Sequence, residues 1–146
     1  MQRCVLAVVC VTTVMGCSES GRPIEYVIPD GYRGKVWVLL DPNAPNLPVI
    51  GGRYQVEFPA QGLLRVRSMQ PFERWHGSSA RFAGGTGLAV DLVPGQSTVS
   101  PFTIAMWSLA RGSTWPNQRD YIAWVVGTEA EAGAIGLDQY RPPVAR

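Results

Sequence analysis

The chain holds one histidine, His76, the side chain whose ordinary pKa suits acid–base work near neutral pH. A hydrolase would use it as general base for Ser78, Ser79 or Ser108, with Asp91 or Asp120 steering the imidazole. No Gly-x-Ser-x-Gly elbow accompanies it, and Trp75-His76-Gly77 reads equally well as a loop. A metal held by a lone histidine would need several carboxylates converging on it. Glycoside hydrolysis needs two carboxylates facing one another across a cleft. The most suggestive acids have ordinary local duties instead: Asp30 in a turn, Glu57 on an exposed strand face, Glu129 and Glu131 at a helix start. Gly84-Gly85-Thr86-Gly87 lacks the lysine of a phosphate loop and the spacing of a dinucleotide fingerprint, and it reads as a hairpin turn. No catalytic residue, metal or other cofactor is assigned.

Binding is the better prospect. Arg65 and Arg67 share one face of a predicted strand, with Arg53 expected beside them across a hairpin. This modest basic patch would suit anionic headgroups or a polyanionic glycan, or simply face water. Five tryptophans are present. Trp37 alternates out of phase with Val36 and Val38, so it is either covered by a second layer or exposed. Trp75 and Trp115 fall in predicted loops, where an indole stacks on a sugar ring or marks a partner surface. Trp107 and Trp124 sit in runs apolar on both faces and read as core. The candidate ligand-binding set is therefore Trp37, Trp75, Trp115, Arg65 and Arg67.

The elements that must position these residues are short strands. Ile24–Ile28 leads into the turn Pro29-Asp30-Gly31. Lys35–Asp41 puts Val36, Val38 and Leu40 on one face. Arg53–Phe58 alternates without error, Tyr54, Val56 and Phe58 inward, and Leu63–Arg67 sets Leu64 and Val66 against Arg65 and Arg67. Further strands are expected at Ser79–Ala83, Leu88–Leu92, Phe102–Ala110 and Tyr121–Val126. Thr128 with Glu131 three residues on forms a capping box, which predicts a helix ending near Gly136. Short strands with turns every 8–12 residues predict a mainly β protein, a single antiparallel β-sandwich-like domain with a short C-terminal helix. The expected organisation is a signal at 1–16, a tether at 17–23, the sandwich at 24–140 and a tail at 141–146.

Residues 1–16 have the grammar of an export signal. Arg3 supplies the positive start, and Val5–Val14 is an apolar run too short to span a bilayer. Val14-Met15-Gly16-Cys17 resembles the bacterial lipobox, in which the chain is cut before an acylated cysteine. The resemblance implies lipidation at Cys17, and Ser18 in place of aspartate implies the outer membrane, facing the periplasm. All three cysteines, Cys4, Cys10 and Cys17, precede the predicted fold, so the mature domain has no internal disulfide. The 146 residues are 46% apolar and 16% charged with a formal net charge of +2. That balance argues against a disordered chain and against a nucleic-acid partner.

Three blocks carry a second resemblance: Ile28-Pro-Asp-Gly-Tyr-Arg-Gly-Lys-Val-Trp-Val38, Phe58-Pro-Ala-Gln-Gly62 and Val126-Gly-Thr-Glu129. Together they resemble a family of uncharacterised bacterial lipoprotein domains, a domain of unknown function. The shared residues are turn chemistry, so the likeness implies a fold and brings no activity. The expectation is a lipid-anchored envelope protein, non-enzymatic, binding or structural, with an envelope protein or glycan as possible partner. The alternatives are a carbohydrate- or peptidoglycan-binding module using loop tryptophans, and a hydrolase centred on His76.

Overall fold

The computed structural model describes residues 21–114, 117–135 and 141–143. Nine strands are described: β1 (Ile24–Ile28), β2 (Gly34–Leu40), β3 (Val49–Ile50), β4 (Arg53–Glu57), β5 (Leu63–Val66), β6 (Ser78–Phe82), β7 (Gly87–Leu88), β8 (Ala105–Ser113) and β9 (Asp120–Gly127). One helix, α1 (Glu129–Gly133), follows β9. The strands form two sheets, ordered β3-β4-β1-β6-β7 and β5-β2-β9-β8. The mainly β, sandwich-like architecture with a short late helix is thus what the chain adopts.

Both sheets are mixed, whereas hairpins throughout would have made them antiparallel. β1 runs parallel to β4 and β6, and β2 runs parallel to β5. The cause is the path of the chain. After β1 it crosses to the second sheet for β2, returns for β3 and β4, crosses again for β5 and returns for β6. Each double crossing brings the chain back in its original direction, which is the parallel sense. One consequence separates the arginines: β4 and β5 belong to different sheets, so Arg53 does not stand beside Arg65 and Arg67. It pairs with Glu25 across β1 at 3.6 Å.

Period-two burial sorts the side chains. Ile24, Tyr26, Ile28 and Val56 from the first sheet meet Val36, Val38, Met106, Ile122, Trp124 and Val126 from the second in one core. Tyr26, Phe58 and Trp124 form an aromatic group within it, with ring centroids 5.2–6.5 Å apart, a spacing that adds to simple area burial. The outer face of the second sheet is also covered. Trp37, Leu39, Tyr121 and Ala123 cluster there, and α1 sets Ala132 against Ala105, Trp107 and Val125. Coverage on both faces explains why β8 and β9 read as continuous apolar runs.

The turn blocks Ile28–Val38, Phe58–Gly62 and Val126–Glu129 meet at one end of the sandwich, the end where β1 stops and β2 begins. Asp30 accepts a hydrogen bond from the Gly84 amide at 2.7 Å. The Tyr32 hydroxyl donates to the Lys35 carbonyl at 2.6 Å, directly over Gly62. Arg33 reaches Glu131, the carboxylate that completes the capping box by accepting from the Thr128 amide at 2.6 Å. Those contacts, the Thr128 amide first and Arg33 next, hold the Glu131 carboxyl at about 2, below its ordinary value. α1 ends at Gly133, with Ala134 as its cap, three residues before the expected Gly136. The strand expected over Leu88–Leu92 shrinks to Gly87–Leu88, and β8 starts at Ala105 with Phe102 left exposed in the preceding turn.

Candidate functional site

The polar side chains that converge do so along one seam between the sheets. After β7 the chain leaves the first sheet, and residues 89–92 run alongside β8 of the second: the Met106 amide donates to the Ala89 carbonyl, and that of Ser108 to Leu92, both at 2.8 Å. Leu92 also bridges to Trp107 in parallel. Three residues of β8, 106–108, oppose four of this segment, 89–92, and the surplus is absorbed at Asp91, which takes φ = 59°, a left-handed conformation uncommon outside glycine. β8 is irregular at the same level, with a register shift against β9 between Ser108 and Ala110. Bulges of this kind re-aim side chains and gather beside functional sites.

The result is a cleft of about 170 Å³ lined by Tyr26, His76, Asp91, Ser108 and Arg111 above an apolar floor of Phe72, Ile122 and Trp124. A second hollow of about 250 Å³ shares Arg111 and adds Glu73, Ser113 and Asp120. Arg111 braces the seam by donating to the Phe72 carbonyl at 2.7 Å. Burial pushes the Tyr26 phenol well above its ordinary pKa and Asp91 adds to that, while Arg111 and a hydrogen bond with Ser78 oppose it. Tyr26 therefore stays protonated and presents an O–H. The His76 Nδ1 lies 2.7 Å from the Arg74 carbonyl. A carbonyl only accepts, so Nδ1 carries the proton and Nε2 is the basic nitrogen. That bond occupies the nitrogen a triad aspartate would orient. The cleft thus offers fixed donors and acceptors to a small polar guest, without the His–Asp hydrogen bond of a nucleophilic triad. It is smaller than the ~300–1,000 Å³ of drug-sized sites.

Of the residues singled out in the sequence, His76, Ser108 and Asp91 come together in this cleft, and Ser78 joins them through Tyr26. Asp120 lines the adjoining hollow and accepts from Ser113 at 2.6 Å. Of the proposed ligand set, Trp37 and Arg65 fall on adjacent strands, β2 and β5, where Trp37 pairs with Leu63 and Leu39 with Arg65. Trp37 is 7% exposed, packed with Leu39 and Tyr121 and with the Lys35 ammonium 5.6 Å from its ring. Arg65 pairs with Asp41 at 3.2 Å, and Arg67 donates to the Ala44 carbonyl at 3.0 Å; both secure the loop after β2. Asp41 also meets Arg119 at 3.5 Å. The Asn43 amide first, and then these two arginines, lower its pKa. Trp75 stands apart, 81% exposed. Cys17 and Trp115 lie outside the described residues. Sequence reasoning missed Tyr26, which read as an ordinary strand position, and Arg111, which fell just past the strand expected to end at Ala110 and lies within β8. The one visible signal was Arg111 closing an otherwise apolar run. Among the described residues no group of three or more His, Cys, Asp or Glu could hold a metal ion, and no helix is long and apolar enough to cross a membrane.

No protein-family model matches the chain, and no curated protein matches it in sequence. Among solved structures it is similar to a protein from Bacillus anthracis whose crystal structure is described as that of a "putative lipoprotein", with 17% identity, a TM-score of 0.51 and 86% of each chain covered. At that identity the likeness is one of fold, extending across most of both chains.

Proposed function

We propose that this chain is an exported bacterial envelope protein, acylated at Cys17, whose sandwich is a non-enzymatic binding domain presenting the seam cleft to a small polar ligand or a partner's side chain. The observation that carries the reading is the lipobox-like Val14–Cys17 and its place relative to the fold. Cleavage before Cys17 removes an apolar leader and leaves all nine strands intact, since β1 begins only at Ile24. The fold shared with a protein described as a "putative lipoprotein" supports the same reading. Acylation would also cap the one thiol left in an oxidising compartment, and two or three acyl chains hold a protein to a bilayer where one does so marginally. Confinement to a surface raises the effective concentration of the cleft against neighbours there. The outer membrane, with the domain facing the periplasm, is the location that Ser18 favours. Intact mass of the native protein extracted from membranes is the test. The expected product starts at Cys17 and carries acyl mass, while Cys17→Ser accumulates as uncleaved precursor. A native product that starts elsewhere, or bears no added mass, ends the reading.

A specific observation favours a second reading, hydrolysis: His76, Asp91 and Ser108 share one cleft. The binding reading expects no turnover in an ester, peptide and glycoside panel, from the native protein or from His76→Ala. Turnover that His76→Ala abolishes would put the hydrolase first.

A further inference from the structure

We infer that the end of the sandwich bearing Trp75, Ile50, Arg22 and Arg74 is the face with which the anchored domain rests on anionic lipid headgroups. The inference deepens the acylation reading and depends on it.

The argument begins where the described chain starts. The Gly21 amide donates to the Trp75 carbonyl at 2.7 Å, and a Cβ on Gly21 would stand 3.1 Å from that of Arg74. The polypeptide therefore enters the fold pressed against Arg74 and Trp75. From Cys17 to Gly21 is four residues, which span at most ~14 Å in any conformation. A domain of this length is about 35 Å across. Acyl chains on Cys17 consequently hold the Gly21 end close to the bilayer and leave the domain no room to turn its far end toward it.

What that end displays suits the position. β1 starts beside Tyr54 of β4 and Ser78 of β6. The loop before β6 brings Trp75 there, and the β3–β4 hairpin, Ile50 opposite Arg53, brings its tip. Three of the five exposed large hydrophobics among the described residues are at this end: Trp75 at 81%, Ile50 at 55% and Val49 at 45%. An indole with one apolar and one polar edge belongs at the level of lipid headgroups. Arg22 and Arg74 line a common hollow of about 180 Å³ with Tyr54, Gln70 and Pro71. The Arg22 guanidinium is 5.4 Å from the Tyr54 ring centroid. Guanidinium is the group best shaped to bind phosphate oxygens. Glu25 pairs with Arg53 and Arg81 on the neighbouring strand surface, while Arg22 and Arg74 border the hollow beside the point where the chain enters the fold. Phe102, 87% exposed, precedes Ala105, whose partner Gly127 lies at the opposite end with the capping box.

The test uses the full native chain, extracted from membranes, checked for acyl mass and reconstituted into vesicles of phosphatidylglycerol and dibrominated phosphatidylcholine. Bromolipid is expected to quench tryptophan emission, and Trp75→Phe to remove most of that quenching. A second variant, Phe102→Trp, adds emission at the far end that bromolipid leaves untouched. Replacing phosphatidylglycerol by a neutral lipid should weaken the quenching, and Arg22→Gln with Arg74→Gln should abolish that lipid dependence. An acylated protein whose quenching is unchanged in Trp75→Phe overturns the docking face alone. So does one whose Trp75 emission responds to soluble peptidoglycan fragments and not to bromolipid, which would make this end a glycan surface. A native protein without acyl mass overturns the anchoring reading itself and the docking face with it.

Discussion

Gly62→Ala should lower the thermal unfolding midpoint by on the order of 10–15 °C, as followed by circular dichroism. Gly62 has φ = +73°, where an L side chain is strained by roughly 1–2 kcal/mol. A Cβ there would also collide with the Tyr32 hydroxyl and come within 2.6 Å of the Lys35 carbonyl. The hydroxyl sits on a side chain and has some freedom. The carbonyl belongs to β2, a central strand paired on both sides, and cannot retreat without disturbing its neighbours. Strain and collision together amount to about 3–4 kcal/mol, a large part of the ~5–15 kcal/mol that holds a domain folded. Adding Tyr32→Phe to Gly62→Ala should recover only part of the loss, because it relieves one of the two collisions. A midpoint within about 3 °C of the native protein's would show that the turn yields and that the close approach is not structural.

Trp107→Ala is the second large effect, a loss of about 4 kcal/mol read as a fall in the urea midpoint at unchanged m-value. Trp107 is fully buried between β8, β9 and α1. Its indole N–H donates to the Gly127 carbonyl at 2.8 Å, just before the capping box. Truncation therefore empties a large volume and leaves a buried acceptor without its donor. Trp107→Phe separates the two: it keeps most of the apolar contact and loses the hydrogen bond, for about 1–2 kcal/mol. If Trp107→Phe were as damaging as Trp107→Ala, hydrogen bonding would outweigh packing at this site, contrary to the argument from volume.

The elements were legible in the residues, and their partners were not. Tyr54, Val56 and Phe58 announce which face of β4 is buried because side chains alternate along a strand, and Thr128 with Glu131 announces the start of α1 through its reciprocal hydrogen bonds. Nothing in Arg53–Phe58 tells which strand lies beside it. That choice is made by the connections, and sheet-to-sheet crossings separated Arg53 from Arg65 and set β1 parallel to its neighbours. The site shows the same division. His76, Asp91 and Ser108 were recognisable by type, but they meet only because residues 89–92 leave the first sheet to run along β8. Tyr26 was hidden by its place in an apolar strand, where it reads as core until the opening beside it is seen. The turn blocks likewise announced themselves by glycine and proline, and Tyr32, Gly62 and Arg33 within them prove to brace one another and Glu131 beyond, which is structural chemistry.

The crossing path has a temporal side as well. β1 finds its two neighbours only at residues 53–57 and 78–82, and β2 gains its inner partner only at residues 120–127. A polypeptide emerging amino end first thus holds its earliest strands waiting until the sequence is nearly complete, and distant pairings of this sort make assembly slow, on the millisecond-to-second scale. Such delay exposes sticky edges, yet under the proposed export it would suit threading through a narrow translocation pore, which admits a chain more readily before it has collapsed than after. The order of the strands keeps the nascent chain open, and lets it close only when its last partner has been made.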